Sequence, residues 1–347
     1  MTTIRAVHEY TPIESATQIR ILALQPAPNF EHPIKATIIT RPLEPDFRSY
    51  RLTQPIPYQA VSYCWGPSDS GLALECDGKR IRISSNVDCM LRHLRKTSGP
   101  RNLWVDSICI NQANVPEKTA QVQCMGKIYR RAQKVHIWLG DACPEDHIPW
   151  VFNSLQSLTV LETLPSPDAF DGLEDGKELL GRFISRPWFG RRWILQELAL
   201  AQDATVHCGH HKISWNWLKE GLNLLTQESA VARFGFNYKA AERIRGVVSM
   251  KKPSRDFLER IFGLHLSDCL DSRDRFYSLY SIEGDFSVGT PKQNAKWHHP
   301  CMPNVDYSKD WMHLYIDFAK QHIATGHFPT ILQHVLSFGS LYDQSPD

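Results

Sequence analysis

The sharpest chemical signal in this sequence is a carboxylate set in an apolar helical stripe. Residues 191–201 read RRWILQELALA. A helix there puts Trp193, Glu197 and Ala201 on one line at i, i+4 and i+8, with Ile194 and Leu198 beside it. Glu197 then projects from the face that should be buried, where an ionised carboxylate is costly unless something compensates it. Two readings stay open. Glu197 is either tied to an arginine (Arg191, Arg192 or Arg101) or set in a cleft, where its charge could hold a ribose hydroxyl or stabilise a cation formed as a glycosidic bond breaks.

Other chemistry-bearing residues gather at the ends of short apolar runs. YQAVSYC, 58–64, stops at Trp65-Gly66-Pro67, a turn that cannot continue a ladder. Ser62, Tyr63, Trp65 and Gly66 are thereby delivered to a strand end. Trp65 could stack on a nucleobase or plug the turn, and Gly66 would let a phosphate or ring approach the backbone. NLWVDSICI, 102–110, reads as a buried strand carrying Asp106 and Ser107. Asp106 is expected to bond loop amides near Asn111 and Gln112, or to touch a ligand. Cys109 reads as a packed thiol, because no histidine lies near it in sequence. His207, Cys208, His210 and His211 lack a second half with metal-ligand spacing, and His298, His299 and Cys301 read as polar surface. No metal site is expected. No GxxxxGK[ST] or GxGxxG loop is present, so nothing supports ATP or hydride chemistry.

The elements that must position these groups alternate in type. QIRILAL, 18–24, and KATIIT, 35–40, are leading strands, and 73–76 with 80–84 form a hairpin around Asp77-Gly78. A short helix follows over 86–94, then the 102–110 strand. Asn114 and Glu117 cap a helix to Gln133, with Val122, Met125, Ile128, Tyr129 and Ala132 at helical spacing. VHIWLG, 135–140, is another buried strand. Strand, helix, strand in that order implies a parallel crossover, so the predicted class is α/β with a mainly parallel sheet flanked by helices. A surface loop is predicted over 163–176, helices over 177–184 and 188–201, a strand over 204–209 and a helix after Ser214. The rest reads as helical over 240–250, 255–263, 272–283 and 310–324, with a polar loop at 284–304.

Composition sets outer limits. The 347 residues are 42% hydrophobic and 22% charged, enough for an ordinary core. A net charge of +2 argues against a dedicated nucleic-acid binder. The first ten residues lack the charged-then-apolar pattern of a secretory signal, and no apolar run approaches a bilayer span. Nine scattered cysteines suit a reduced, cytoplasmic protein.

Three blocks in order carry a family resemblance. They are YQAVSYCWG at 58–66; LWVDSICINQ at 103–112, continuing through Met125, Tyr129, Ala132 and Trp138-Leu139-Gly140; and Arg186-Pro187-Trp188-Phe189 with Arg192 to Glu197, then Cys208-Gly209. With a lead-in at 20–23 and a tail at Arg273–Tyr277 and Asp306–Ser308, they resemble the fungal heterokaryon-incompatibility (HET) domain across residues 18–325. The resemblance implies a death-inducing signalling domain of non-self recognition, with lead-in strands over 1–57, the domain core over 58–225 and a helical extension over 226–347. The family is distantly similar to TIR domains, which implies a TIR-like or flavodoxin-like core. AVSYCWG then corresponds to the first TIR strand and loop, and the Arg192-Trp193 to Glu197 segment to the helix whose glutamate supports cleavage of the nicotinamide–ribose bond of NAD. On that basis Glu197 is the expected catalytic residue, and Ser62, Tyr63, Trp65, Gly66, Asp106, Ser107, Arg192 and Trp193 are expected to bind substrate. NAD would be the substrate, with no metal or organic cofactor. Self-association and a fungal recognition or NLR-type partner are expected, with no nucleic acid and no membrane span. A non-catalytic oligomerising adaptor, or another small-molecule enzyme on the same fold, remain the alternatives.

Overall fold

The computed structural model describes residues 6–13, 17–44, 55–67, 71–161, 176–249, 257–279, 281–282 and 305–338. The loop expected at 163–176, all but its last residue, lies outside the described residues. So does the loop expected at 284–304, with His298, His299 and Cys301.

The strands are β1 (Gln18–Leu24), β2 (Lys35–Pro42), β3 (Gln59–Tyr63), β4 (Ala73–Cys76), β5 (Lys79–Arg82), β6 (Arg101–Trp104), β7 (Val135–Trp138), β8 (Ala204–Cys208) and β9 (His211–Ser214). They form one sheet in the order β5-β4-β2-β1-β6-β3-β7-β8-β9. The segments at 58–66, 102–112 and 135–140 supply its adjacent centre, β6-β3-β7, and every pairing from β6 to β8 is parallel. The sheet as a whole is mixed rather than mainly parallel. The hairpins β1–β2, β4–β5 and β8–β9 and the β1–β6 contact are antiparallel. Short turns can join only antiparallel neighbours, so hairpins appended at both flanks dilute a parallel centre built by crossovers.

The helices are α1 (Ser85–Leu94), α2 (Asp106–Cys109), α3 (Val115–Arg131), α4 (Ile148–Leu161), α5 (Gly176–Ile184), α6 (Ile194–Ala199), α7 (Trp215–Leu225), α8 (Glu228–Phe234), α9 (Tyr238–Val248), α10 (Phe257–Gly263), α11 (Asp274–Tyr277), α12 (Trp311–Ala324) and α13 (Phe328–Phe338). Strand alternation sorts the first of them onto faces. Trp138 and His136 face α1, where the Trp138 indole donates to Asn86 Oδ1 at 2.8 Å and His93 packs on its ring. Ala60, Ser62 and Trp104 face the other way, toward α3 and residues 187–190. There Trp104 meets Tyr129 edge-on, and the Trp188 indole donates to Ser62 Oγ at 2.9 Å. Helix α3 starts as its sequence dictates, with Asn114 Oδ1 accepting from Glu117 N at 3.0 Å. Among the described residues, no helix is long and apolar enough to cross a membrane.

Two expected elements are shorter than periodicity suggests. The strand expected over 102–110 ends at Trp104, and Asp106 begins a helical turn instead of lying within a strand. Asp106 Oδ1 accepts from Ser107 N at 2.8 Å, a local bond that competes with a ladder. The helix expected over 188–201 is split. Pro187–Gly190 form a 3-10 turn, Arg191 is extended, and α6 starts only at Ile194. Trp193 sits at the cap of α6, where its carbonyl still accepts from Glu197 N at 3.2 Å. The helix expected over 272–283 shrinks to α11.

Candidate functional site

The parallel centre ends at one rim. Beyond Tyr63 the chain leaves the sheet through Cys64, Trp65 and Gly66. Asn86 Nδ2 donates to the Cys64 carbonyl at 2.6 Å and Ser84 Oγ to the Trp65 carbonyl at 2.5 Å, fastening the loop to the start of α1. Gly66 has φ +72, a left-handed conformation that strains any residue with a Cβ. Trp65 is 38% exposed, and its indole donates to Asp106 Oδ2 at 2.8 Å. Asp106 stands at the end of the neighbouring strand, so two strand ends are joined across the rim. The Tyr63 hydroxyl donates to Ser107 Oγ at 2.5 Å just beneath.

The opposite wall comes from residues 191–193 and the C-terminal region. Arg192 is buried and turned away from the rim. It donates to the carbonyls of Leu264 and Arg275, both at 2.7 Å, and to Ser267 Oγ and Ser278 Oγ. The Trp193 indole donates to Asp274 Oδ2 at 2.9 Å, and the Tyr307 hydroxyl to Asp274 Oδ1 at 2.6 Å. Between the walls lies a cleft of about 540 Å³ bordered by Trp65, Gly66, Asp106, Arg191, Arg192, Trp193, Asp274 and Tyr307, with Lys118, Val122 and Met125 of α3 below. That volume suits a small-molecule ligand, and the lining combines apolar surface with a few polar groups.

Glu197 does not border the cleft. It is wholly buried on α6; neither carboxylate oxygen is in a well-formed hydrogen bond, though the hydroxyls of Ser62 and Tyr129 are near enough to draw the carboxyl down. The Tyr129 hydroxyl also reaches the Val61 carbonyl, and Ser62 Oγ accepts from the Trp188 indole, which leaves its own proton able to turn to Glu197. The closest compensation is Arg191, whose Nη1 lies 3.5 Å from Glu197 Oε1 and also donates to the Tyr63 carbonyl. Burial pushes the Glu197 carboxyl up to about 7 despite the pull of Arg191. Burial works to lower the Arg191 guanidinium, but the Glu197 and Asp106 carboxylates outweigh it and raise it. Arg191 is therefore the residue that touches both the cleft and the buried carboxylate.

Of the residues expected to bind substrate, Trp65, Gly66, Asp106, Arg192 and Trp193 border this cleft. Ser62 and Tyr63 are buried behind its wall, and Ser107 lies with them, bonded to Tyr63. Lys118, Asp274 and Tyr307 were not expected as site residues. Asp274 and Tyr307 fall in the RDRFY and DYS segments, which gave a family signal but no hint of distance to Trp193. Elsewhere, Cys109 is packed in the core, its thiol pushed up to about 12 by burial. His207 pairs with His136 at 2.9 Å instead of gathering with Cys208, His210 and His211 around a metal position.

The comparisons with known proteins agree with this framework. Residues 58–197 match the family described as heterokaryon incompatibility protein (HET). The chain is 30% identical over 246 residues to heterokaryon incompatibility protein 6, OR allele, of Neurospora crassa, a match covering 58% of this chain and 34% of that protein. It is 26% identical over 145 residues to vegetative incompatibility protein HET-E-1 of Podospora anserina, covering 41% of this chain and 9% of that one. The chain thus spans about a third or less of the curated relatives it matches. No solved structure matches it. The matched segment runs from the first rim strand to Glu197 itself, and over residues 58–197 the chain is a HET domain.

Proposed function

We propose that this HET domain induces incompatibility-type cell death, and that it does so by TIR-like hydrolysis of NAD in the cleft. The observation that carries the reading is a wholly buried carboxylate with no well-formed hydrogen bond, one guanidinium away from a ligand-sized cleft. Buried polar groups are normally satisfied, and exceptions of this kind concentrate at sites of function. In the proposed reaction the bond from the ribose carbon to the nicotinamide nitrogen breaks, and its electron pair leaves with nicotinamide. Water adds to the oxocarbenium-like carbon and loses a proton, giving ADP-ribose. Trp65 offers a ring for stacking at the rim. Arg191, which borders the cleft, would hold the pyrophosphate while it keeps Glu197 ionised, and the field of that carboxylate would act on the positive charge developing beside it. Self-association would be expected to raise the activity, as in TIR domains whose sites are completed across subunits.

Nicotinamide release by the purified chain, followed over a range of protein concentrations, tests this. Wild type should release nicotinamide and Glu197→Gln should not. Turnover by Glu197→Gln at the wild-type rate removes this residue from the mechanism. A second reading is favoured by one observation, the enclosure of Glu197 behind Arg191: the pair only fixes α6, and the domain is a non-catalytic module that self-associates and recruits partners. Killing by a wild-type domain that leaves cellular NAD untouched would decide for it.

A further inference from the structure

The edge hairpin β4–β5, far along the sheet from the cleft, gathers three side chains of metal-binding type. Cys76 closes β4. Asp77 and Gly78 make the turn, both with positive φ. The N-terminal segment lies against the outer side of β5: Val7 bridges Arg80, His8 N donates to the Arg80 carbonyl at 3.0 Å and Arg80 N to the Ala6 carbonyl at 2.9 Å. This brings a ring nitrogen of His8, the sulfur of Cys76 and a carboxylate oxygen of Asp77 within 4.8 Å of one another.

The three groups leave a chemical shortfall as they stand. His8 Nδ1 is buried and has no hydrogen-bond partner. The Cys76 thiol is fully buried, and its polar contact to Asp77 Oδ2 is long, at 3.6 Å. Among the described residues, Asp77 Oδ2 otherwise accepts only a 3.3 Å bond from Ile38 N. A buried donor or acceptor left unmade costs free energy that a bound cation would recover.

We propose that His8, Cys76 and Asp77 form a binding site for a divalent metal of the zinc class, which fastens the N-terminal segment to the edge strand β5. One nitrogen, one sulfur and one oxygen ligand suit a borderline-soft ion with a tetrahedral preference, and water would complete the set. Ligand atoms around such an ion stand about 3.5 Å apart given its usual bond lengths. Reaching that spacing takes shifts of about an ångström, within rotation of the half-exposed His8 and exposed Asp77 side chains. A bound cation would favour the thiolate form of Cys76. Lys79 and Arg20 also act on His8 and oppose a cation there, so the thiolate and the carboxylate must both contribute charge. The consequence is structural. β5 is an edge strand, and a metal pin would keep residues 6–8 covering its open side.

The test uses the full chain stripped of metal with a chelator and titrated with Zn²⁺ against a chromophoric competitor, then with Co²⁺. One tight equivalent, a rise in Tm on adding Zn²⁺ and a near-ultraviolet thiolate-to-cobalt band are expected. His8→Gln and Asp77→Asn should each weaken binding by more than the ~10–100-fold lost when a group supporting a metal ligand is removed. Both positions tolerate the change: His8 is not enclosed, and asparagine accepts the left-handed backbone of Asp77. Cys76→Ser should abolish the cobalt band. No binding, or binding left unchanged by His8→Gln and Asp77→Asn while the variants melt like wild type, would overturn the proposal. Such a result would assign any bound metal to the other histidines and cysteines of the chain.

Discussion

Replacing Glu197 with glutamine should make the protein more stable above pH 7 and leave it unchanged below about pH 4.5. The carboxyl titrates at its ordinary 4.5 in the unfolded chain and at about 7 in the folded one. Below 4.5 it is protonated in both states. Between the two values the folded chain keeps a proton that the unfolded chain has released, so stability falls as pH rises. Above 7 the full cost of a buried charge is present, ~3 kcal/mol. Glutamine fits the same space and never ionises. Arg191 loses its partner but keeps the Tyr63 carbonyl and the field of Asp106, and its side chain is 18% exposed on the cleft side. The gap between variant and wild type should therefore open by ~3 kcal/mol across this window. For 347 residues that corresponds to ~4 °C in Tm.

Thermal melts of both proteins at half-unit steps from pH 4.5 to 8 measure the gap. His136 and His207 act in the opposite direction. Burial pushes them down to about 2 and about 4, so their contribution is present above 6.5 and lost as pH falls. They stand in both proteins and cancel in the difference. Parallel melting curves would refute the buried charge. A variant several degrees less stable at pH 8 would show that the Arg191 pair more than compensates Glu197, and so favour a structural role.

If Glu197 acts as an ionised group, nicotinamide release should climb through a midpoint near pH 7 and level off above about pH 8, read from initial rates with folding checked at each pH. Trp65→Ala should leave Tm within about 1 °C, because the ring is partly exposed, yet raise the KM for NAD ~10-fold through lost stacking. Arg192→Met should cost ~3 kcal/mol or more, since it strips bonds from the Leu264 and Arg275 carbonyls and from two serines; limited proteolysis should then cut the C-terminal region first. Gly221→Ala should cost ~1–3 kcal/mol in chemical denaturation, because a Cβ there would stand 2.5 Å from the Leu155 carbonyl oxygen and force α4 and α7 apart.

The central strands were legible because β3, β6 and β7 carry unbroken apolar runs between turn signals, and Asn114 marked the start of α3. The ends of runs were less legible. Val105 to Ile110 is as apolar as a strand, but the Asp106 carboxylate bonds the next amide and turns the chain into α2. Likewise RPWFGRRW reads as helical by spacing, while Pro187, Gly190 and an extended Arg191 delay α6 to Ile194. Within the site, the rim residues Trp65 and Gly66 announced themselves by sitting where an apolar run stops, and Asp106 as a charge inside one. The enclosure of Glu197 was half visible, as a charge on a buried stripe. Its choice of Arg191 over Arg192 was not, because one extended residue turns Arg192 inward to the C-terminal carbonyls and leaves Arg191 facing the cleft. Asp274 and Tyr307 carried no local sign of their role, since their partners lie more than 80 residues away or depend on each other.

The segment that defines the family, 58–197, is not a portable piece of this structure. β4 pairs with β2 and β5 alone, so it reaches the central strands only through the β1–β2 hairpin, which precedes that segment. The wall of the cleft formed by Asp274 and Tyr307 follows it. A graft cut at those limits would strand one hairpin, bare the edge of β6 and open the cleft to solvent on one side. For chimeras between HET-domain proteins, the exchangeable unit therefore runs from the first strand at Gln18 to at least Phe318 of α12, which packs on Phe276. Crossovers placed inside that span would pair one parent's rim with the other's wall.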